Sequence, residues 1–128
     1  MDALKIEFKK SQDCLKIAHL SFDVGEYDSA VNRAYYSILH TIRCGLLLSN
    51  NPEAASNRTH SGLISAFFQF LIKENLIDQS FSKKIGRAYE YRLISDYSGD
   101  FAEKDEALSC IQTADELLEA IKKLGMIS

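Results

Sequence analysis

The sequence predicts an all-α protein: a four- to five-helix up-and-down antiparallel bundle, folded as a single domain over residues 1–128. Three observations carry this expectation. Apolar residues recur at intervals of three and four along most of the chain, and no segment shows the strict alternation of a half-buried strand. The chain has a single proline, Pro52, so little interrupts its helical stretches. The links between periodic stretches are short, which favours antiparallel neighbours. A length of 128 residues, 46% of them hydrophobic, suits one globular domain that needs no disulfide staple.

The first helix is expected from about Ala3 to Phe22, with Leu4, Phe8, Leu15, Ala18 and Phe22 at helical spacing. Asp23-Val24-Gly25 ends it. The second runs from about Tyr27 to Leu48, with an inner stripe of Val31, Ala34, Tyr35, Ile38, Ile42 and Gly45. Ser49 to Arg58 reads as a loop, on its Asn-Asn-Pro turn signal. A third helix covers roughly Ser61 to Glu74, capped by Thr59 or Ser61 and packed through Leu63, Ile64, Phe67, Phe68 and Leu71. A fourth runs from Ser80 to Tyr97, before a break at Ser98-Gly99-Asp100. The fifth, about Glu103 to Leu124, has the most regular stripe: Ala107, Cys110, Ile111, Ala114, Leu117, Leu118, Ile121 and Leu124. Acidic Glu103, Asp105 and Glu106 load its first turn and Lys122 and Lys123 its last, as the helix dipole prefers. Gly45 and Gly86 fall inside helical patterns, where a missing side chain allows close helix approach.

Composition narrows the function classes. Fifteen basic and eighteen acidic residues give a formal charge of −3, which argues against a broad basic nucleic-acid platform but not against a local basic cleft. Cys14, Cys44 and Cys110 are an odd set without a CxxC pair, so neither a disulfide framework nor a cysteine-rich zinc site is expected. No signal peptide or membrane span is read, since a span needs about 20 apolar residues. These features point to the cytoplasm. The histidines show no HxxxH or HExxH spacing, so no metal ligand set is expected.

Three places could carry chemistry. On the far face of the second helix, Arg33, Tyr36, His40, Arg43 and Leu47 share one stripe. This is either a solvated or dimer-facing surface, or a basic, aromatic and titratable surface that holds a phosphate. Tyr36, Leu47, Leu39 and Leu46 together exceed what one inner stripe buries, so a second copy is expected to cover them. On the fourth helix, Phe81, Ile85, Ala88/Tyr89, Arg92 and Asp96 fall on one stripe, which starts apolar and ends as an i,i+4 ion pair. An ion pair on an inward stripe costs desolvation. It is either a structural lock or a cleft in which Arg92 meets an anion. Third, His60 in Thr59-His60-Ser61-Gly62 stands at a helix start, where exposed N–H groups favour an anion and lower a histidine's pKa. A plain capping segment is the other reading.

These residues resemble a known family. The run Ala30-Val31-Asn32-Arg33-Ala34-Tyr35-Tyr36-Ser37-Ile38-Leu39-His40 resembles the second helix of the HEPN superfamily. So do His60-Ser61-Gly62-Leu63 before a Phe-rich helix, and Arg92-Leu93-Ile94-Ser95-Asp96-Tyr97. Their order and spacing resemble a small single-domain prokaryotic branch, over about Leu15 to Leu124. The resemblance implies a helical bundle, usually a homodimer, of the kind found as toxins in toxin–antitoxin or phage-defence loci. Such proteins are often encoded beside a minimal nucleotidyltransferase, which would serve as antitoxin and partner. Active members are metal-independent ribonucleases that carry an arginine, four to six residues, then a histidine. There RNA supplies its own nucleophile, histidine handles protons and arginine stabilises the charged phosphorane. No cofactor is implied. Here the slots after Arg92 hold Tyr97, Ser98 and Gly99, and the pair with the right gap is Arg33 and His40. The candidate catalytic residues are therefore Arg92, Asp96, His40 and Arg33, and the candidate binding residues Tyr36, Arg43, His60 and Tyr97. A tyrosine beside the late motif resembles a nucleotide acceptor, which Tyr97 would be. The alternative function is a non-catalytic HEPN module that binds a nucleotidyltransferase partner or a nucleotide.

Overall fold

A computed structural model describes residues 2–97 and 99–127. Its elements are α1 (Ala3–Asp23), α2 (Tyr27–Leu48), α3 (Pro52–Ala55), α4 (His60–Phe67), a π-helical turn (Phe68–Ile72), α5 (Ser80–Tyr97) and α6 (Lys104–Ile127). Five of these are the expected bundle helices. The sixth, α3, is a single turn inside the segment read as a loop, with Pro52 at its first position, where a missing N–H costs nothing. The third predicted helix splits: α4 ends at Phe67, and wider π-type winding carries the chain on to Ile72. Ser98, the first residue of the predicted break, lies outside the described residues; Gly99 follows with φ +82°.

Cross-helix contacts define the topology. Glu7 meets His40, Ser11 meets Ser37 and Thr41, and Phe22 meets Tyr27, so α1 and α2 are antiparallel. Tyr35 meets Tyr89, and Asp28 meets Ser95, so α5 also runs against α2. Lys84 pairs with Glu116 and His19 with Asp115, which sets α6 against α5 and α1. The four long helices thus alternate in direction, with α3 and α4 inserted between α2 and α5.

Helix α2 is the central element. Its buried face includes Val31, Ala34, Tyr35, Ile38, Ile42, Cys44 and Gly45. Leu39 and Leu46 are buried too. This corrects the expectation that they form spare apolar surface: α2 is contacted on several sides, so its apolar arc is wider than one stripe. A Cβ on Gly45 would lie 2.7 Å from Leu71 Cδ1 and 2.9 Å from Ile121 Cδ1, so glycine is what lets these neighbours approach. The other interior glycine, Gly86, has open space around it and no such role. Between α1 and α2 sits a small polar seam. Thr41 Oγ1 donates to Ser37 O, Ser37 Oγ donates to Ser11 O, and Ser11 Oγ lies against both hydroxyls. These buried hydroxyls are all satisfied, as burial demands.

The α6 stripe packs as expected, from Ala107 through Ile121. Its ends differ from the reading. Glu103 precedes the helix, and its N–H donates to Glu106 Oε1, one half of a capping box. The helix continues to Ile127, so Lys122 and Lys123 lie before its last turn. Among the described residues, no helix is long and apolar enough to cross a membrane.

Candidate functional site

An aromatic and basic cluster forms where α2, the start of α4 and the second half of α5 meet. Its floor is Tyr35. Helical spacing puts this tyrosine on the inner stripe of α2, and it is fully buried (0% exposed). Three rings stand edge-on to it: Tyr36 at 5.9 Å, Tyr89 at 6.0 Å and His60 at 5.5 Å between centroids. Such edge contacts are worth about 0.5–1.5 kcal/mol each. The guanidinium carbon of Arg92 lies 5.4 Å from the Tyr35 ring centroid. The phenol oxygen of Tyr35 is buried and finds no hydrogen-bond partner among the described residues. Burial pushes its pKa up to about 12, against the opposing pull of Arg92.

His60 is the first residue of α4. Its position is set by the turn before it: Asn57 Oδ1 accepts from the backbone N–H and hydroxyl of Thr59, and Thr59 Oγ1 accepts from Gly62 N–H at 3.0 Å. A Cβ on Gly62 would fall 2.6 Å from the Asn57 amide and from Thr59 Oγ1, so a larger residue there would push aside the side chains that form this cap. The imidazole packs against Tyr36 as well as Tyr35, with centroids 5.7 Å apart for the former. Its pKa is lowered, first by burial and then by the positive charges of Arg92 and Arg43. His60 is therefore neutral at pH 7 and able to accept a proton.

Arg92 is mostly hidden, with 13% of its side chain exposed. Besides Tyr35 it meets the Tyr97 ring, 5.5 Å from guanidinium carbon to centroid. Asp96 Oδ2 lies 3.0 Å from Arg92 Nε, yet that N–H makes no directed hydrogen bond. The carboxylate sits close in charge but off the N–H axis. Burial works against the arginine's charge, and Tyr97, Tyr36, Asp96 and Tyr35 outweigh it, so its pKa is raised. Asp28 of α2 fixes this end of α5. It accepts from Ser95 Oγ at 2.9 Å and from Ala102 N–H at 2.6 Å.

The other candidates go elsewhere or support the cluster. Arg33 lies over the Tyr36 ring at 5.2 Å and donates through Nε and Nη2 to Asn32 Oδ1. His40 turns to α1, where Nδ1 meets Glu7 Oε2 at 2.7 Å. Arg33 and His40 thus make separate contacts despite their shared stripe. Arg43 donates to the carbonyls of Ala55 and Asn57, which holds the link that presents His60. Sequence reasoning missed Tyr35 as a site residue because its stripe marked it as core. The usable signal was a phenol that an apolar stripe offers no partner. A shallow groove of about 440 Å³ between α4 and α5, walled by Ile64, Tyr89 and Leu93, runs up to the cluster. A larger groove of about 810 Å³, beside Phe68, Lys73 and Lys83, includes none of these residues. Among the described residues, no group of three or more histidine, cysteine or carboxylate side chains is placed to hold a metal ion.

Comparison with known proteins agrees with this architecture. The model of the HEPN domain family matches residues 5–124. Two proteins of Methanocaldococcus jannaschii, both named as candidate toxins, are similar to the chain. One is 32% identical over 114 residues, covering 88% of this chain and 81% of its own length. The other is 30% identical over 117 residues, covering 90% and 76%. A UPF0332 protein of Archaeoglobus fulgidus is 28% identical over 124 residues, covering 95% of this chain and 94% of its own.

Proposed function

The chain belongs to the HEPN domain family, and from that premise we propose that it is a toxin that cuts RNA without a metal ion, working as a homodimer in the cytoplasm. One observation carries the reading. An arginine and a neutral histidine pack on the same buried ring: Arg92 and His60 stand 5.4 Å and 5.5 Å from the Tyr35 centroid. The late motif lacks its histidine, and α4 supplies one from another part of the chain. Arg92 offers parallel donors to a phosphate, a shape that guanidinium fits better than ammonium. Its aromatic surroundings reduce competition from water and strengthen that attraction. His60 takes the proton from the RNA 2′-hydroxyl, the 2′-oxygen attacks phosphorus, the bond to the 5′-oxygen breaks, and that oxygen leaves with a proton from water, which the His60 imidazolium replaces. Arg92 stabilises the charge that builds on the phosphorane. The products are a 2′,3′-cyclic phosphate end and a 5′-hydroxyl end. Arg33 and Tyr36 extend the basic and aromatic surface along α2 for neighbouring nucleotides.

The test is RNA cleavage by purified protein in chelator, with product ends identified. Arg92→Lys and His60→Ala should each abolish it while the far-ultraviolet circular dichroism stays helical. Intact RNA under all conditions, with harmless expression in cells, would leave the binding-module reading in place. One observation favours an added partner. Tyr97 is 71% exposed, with its ring beside Arg92. A nucleotidyltransferase antitoxin that modifies Tyr97 would place a bulky anion directly against the site. Coexpression should then add the mass of a nucleotide, and Tyr97→Phe should remove that addition.

A further inference from the structure

We propose that Asp96 is an internal occupant of the Arg92 site, an anion that the ligand must displace before it binds. This rests on the reading of Arg92 as a phosphate-binding residue. The guanidinium is mostly hidden among Tyr35 and Tyr97. A cation in such a place needs a counter-charge. Asp96 provides it from one turn along the same helix, but poorly. Its oxygen is 3.0 Å from Nε and off the N–H direction, so the donor stays without a hydrogen bond. A carboxylate tethered at i+4 reaches Arg92 from one side only. A tetrahedral oxyanion is not tethered and brings oxygens in several directions. It can align with the Arg92 N–H groups and also offer an acceptor to the Tyr35 hydroxyl, the second buried polar group here without a partner.

Charge and mobility both favour exchange over coexistence. His60 is neutral near pH 7, and Arg92 and Asp96 sum to zero. A phosphate that joined the pair without displacing Asp96 would set its oxygens against the carboxylate beside Arg92, a direct like-charge contact. Asp96 is the more exposed partner, at 30% against 13%. Rotation about its side-chain bonds moves the carboxylate to water without disturbing the helix. The carboxylate therefore keeps the Arg92 charge countered when the site is empty and sets a threshold that weakly charged ligands do not pass.

The probe is inorganic phosphate, titrated into the full chain, with binding measured by calorimetry in every variant and also by the ¹⁵Nε resonance of Arg92 wherever that residue is kept. Asp96→Asn keeps the shape and removes the charge. It should bind phosphate about tenfold more tightly than wild type, while Arg92→Lys, alone or added to Asp96→Asn, loses binding. If Asp96→Asn binds no more tightly than wild type while Arg92→Lys still abolishes binding, Asp96 positions Arg92 and the proposal is wrong, with the phosphate-site reading intact. If Arg92→Lys binds as wild type does, the phosphate-site reading falls and takes this proposal with it. Should Asp96→Asn fail to fold, wild type still decides. Phosphate must then shift the carboxylate carbon of Asp96 in step with Arg92 Nε, and an Asp96 signal that stays fixed while Nε moves overturns the proposal.

Discussion

Replacing Tyr35 with phenylalanine should leave the fold as stable as before, or more stable. Most substitutions of fully buried residues destabilise, so the sign is informative. The phenol oxygen is buried and bonds to nothing among the described residues. Burial of an unpartnered hydroxyl costs about 1–3 kcal/mol on protein mutational scales. Removing it recovers part of that, of order 1 kcal/mol, because the ring contacts with Tyr36, His60, Tyr89 and Arg92 survive in phenylalanine. Tyr35→Ala removes the ring as well and should cost about 3–5 kcal/mol. Urea denaturation followed by circular dichroism measures both. Alkaline pH gives an independent check. The folded phenol ionises near 12 and an unperturbed one near 10. The unfolded chain therefore loses this proton first, and stability must fall as pH rises from 10 toward 12. Tyr35→Phe should lack that component. A loss of more than about 1 kcal/mol in Tyr35→Phe at neutral pH would refute the reasoning, because it would mean the hydroxyl has a partner after all.

Two further outcomes rest on the geometry and two on the proposed mechanism. Gly45→Ala should destabilise by about 1 kcal/mol in thermal melts, since overpacking against Leu71 and Ile121 outweighs the gain in helix propensity. The lowered pKa of His60 gives acid sensitivity: the unfolded histidine takes its proton near 6.5 while the folded one resists. Stability should therefore fall as pH drops below about 6.5, and His60→Gln should lack that component. Chelator should change neither helicity nor RNA cleavage, and activity lost in EDTA and restored by magnesium or zinc would overturn the proposed mechanism. Light scattering at micromolar concentration should give twice 14.4 kDa; a clean monomer would remove the homodimer from the proposal.

The bundle was legible because its helices are long and regular. The α6 stripe from Ala107 to Ile121 reads directly as a buried face. The misreadings fall where local signal is weak or where packing decides. Pro52 signalled a turn, and one helical turn forms there. The shift to π-type winding after Phe67 left no mark in the apolar pattern, because Phe68, Leu71 and Ile72 suit either winding. Leu39 and Leu46 looked superfluous only while α2 was assigned a single inner stripe. The site was legible in part. Arg92 stood out as a charge on an apolar stripe, and His60 as a histidine at a helix start. That both pack on the Tyr35 ring was not legible. It depends on how α4 docks between α2 and α5, a relation between segments that no local spacing encodes. His40 illustrates the converse: its spacing from Arg33 fits the family pattern, yet its contact is with Glu7 on another helix.

A motif written as two residues at a fixed gap is a way of bringing two side chains together, and a fold has other ways. A histidine five to seven positions past an arginine lies about one and a half to two turns along the same helix, so one helix carries both. In the mechanism proposed here the histidine comes from α4, and its position has to be secured by separate contacts. The Thr59 cap and the tight space at Gly62 fix the start of the helix. Arg43 pins the preceding link through two carbonyls. Tyr35 and Tyr36 hold the imidazole itself. Each of these has a structural use, which is why each reads as ordinary capping or core when taken alone. Together they confine one imidazole to the ring that also carries Arg92. The unsatisfied phenol at the centre then has a physical sense: a buried polar group left without a partner is a cost to stability, and it is tolerable where a ligand supplies the missing acceptor.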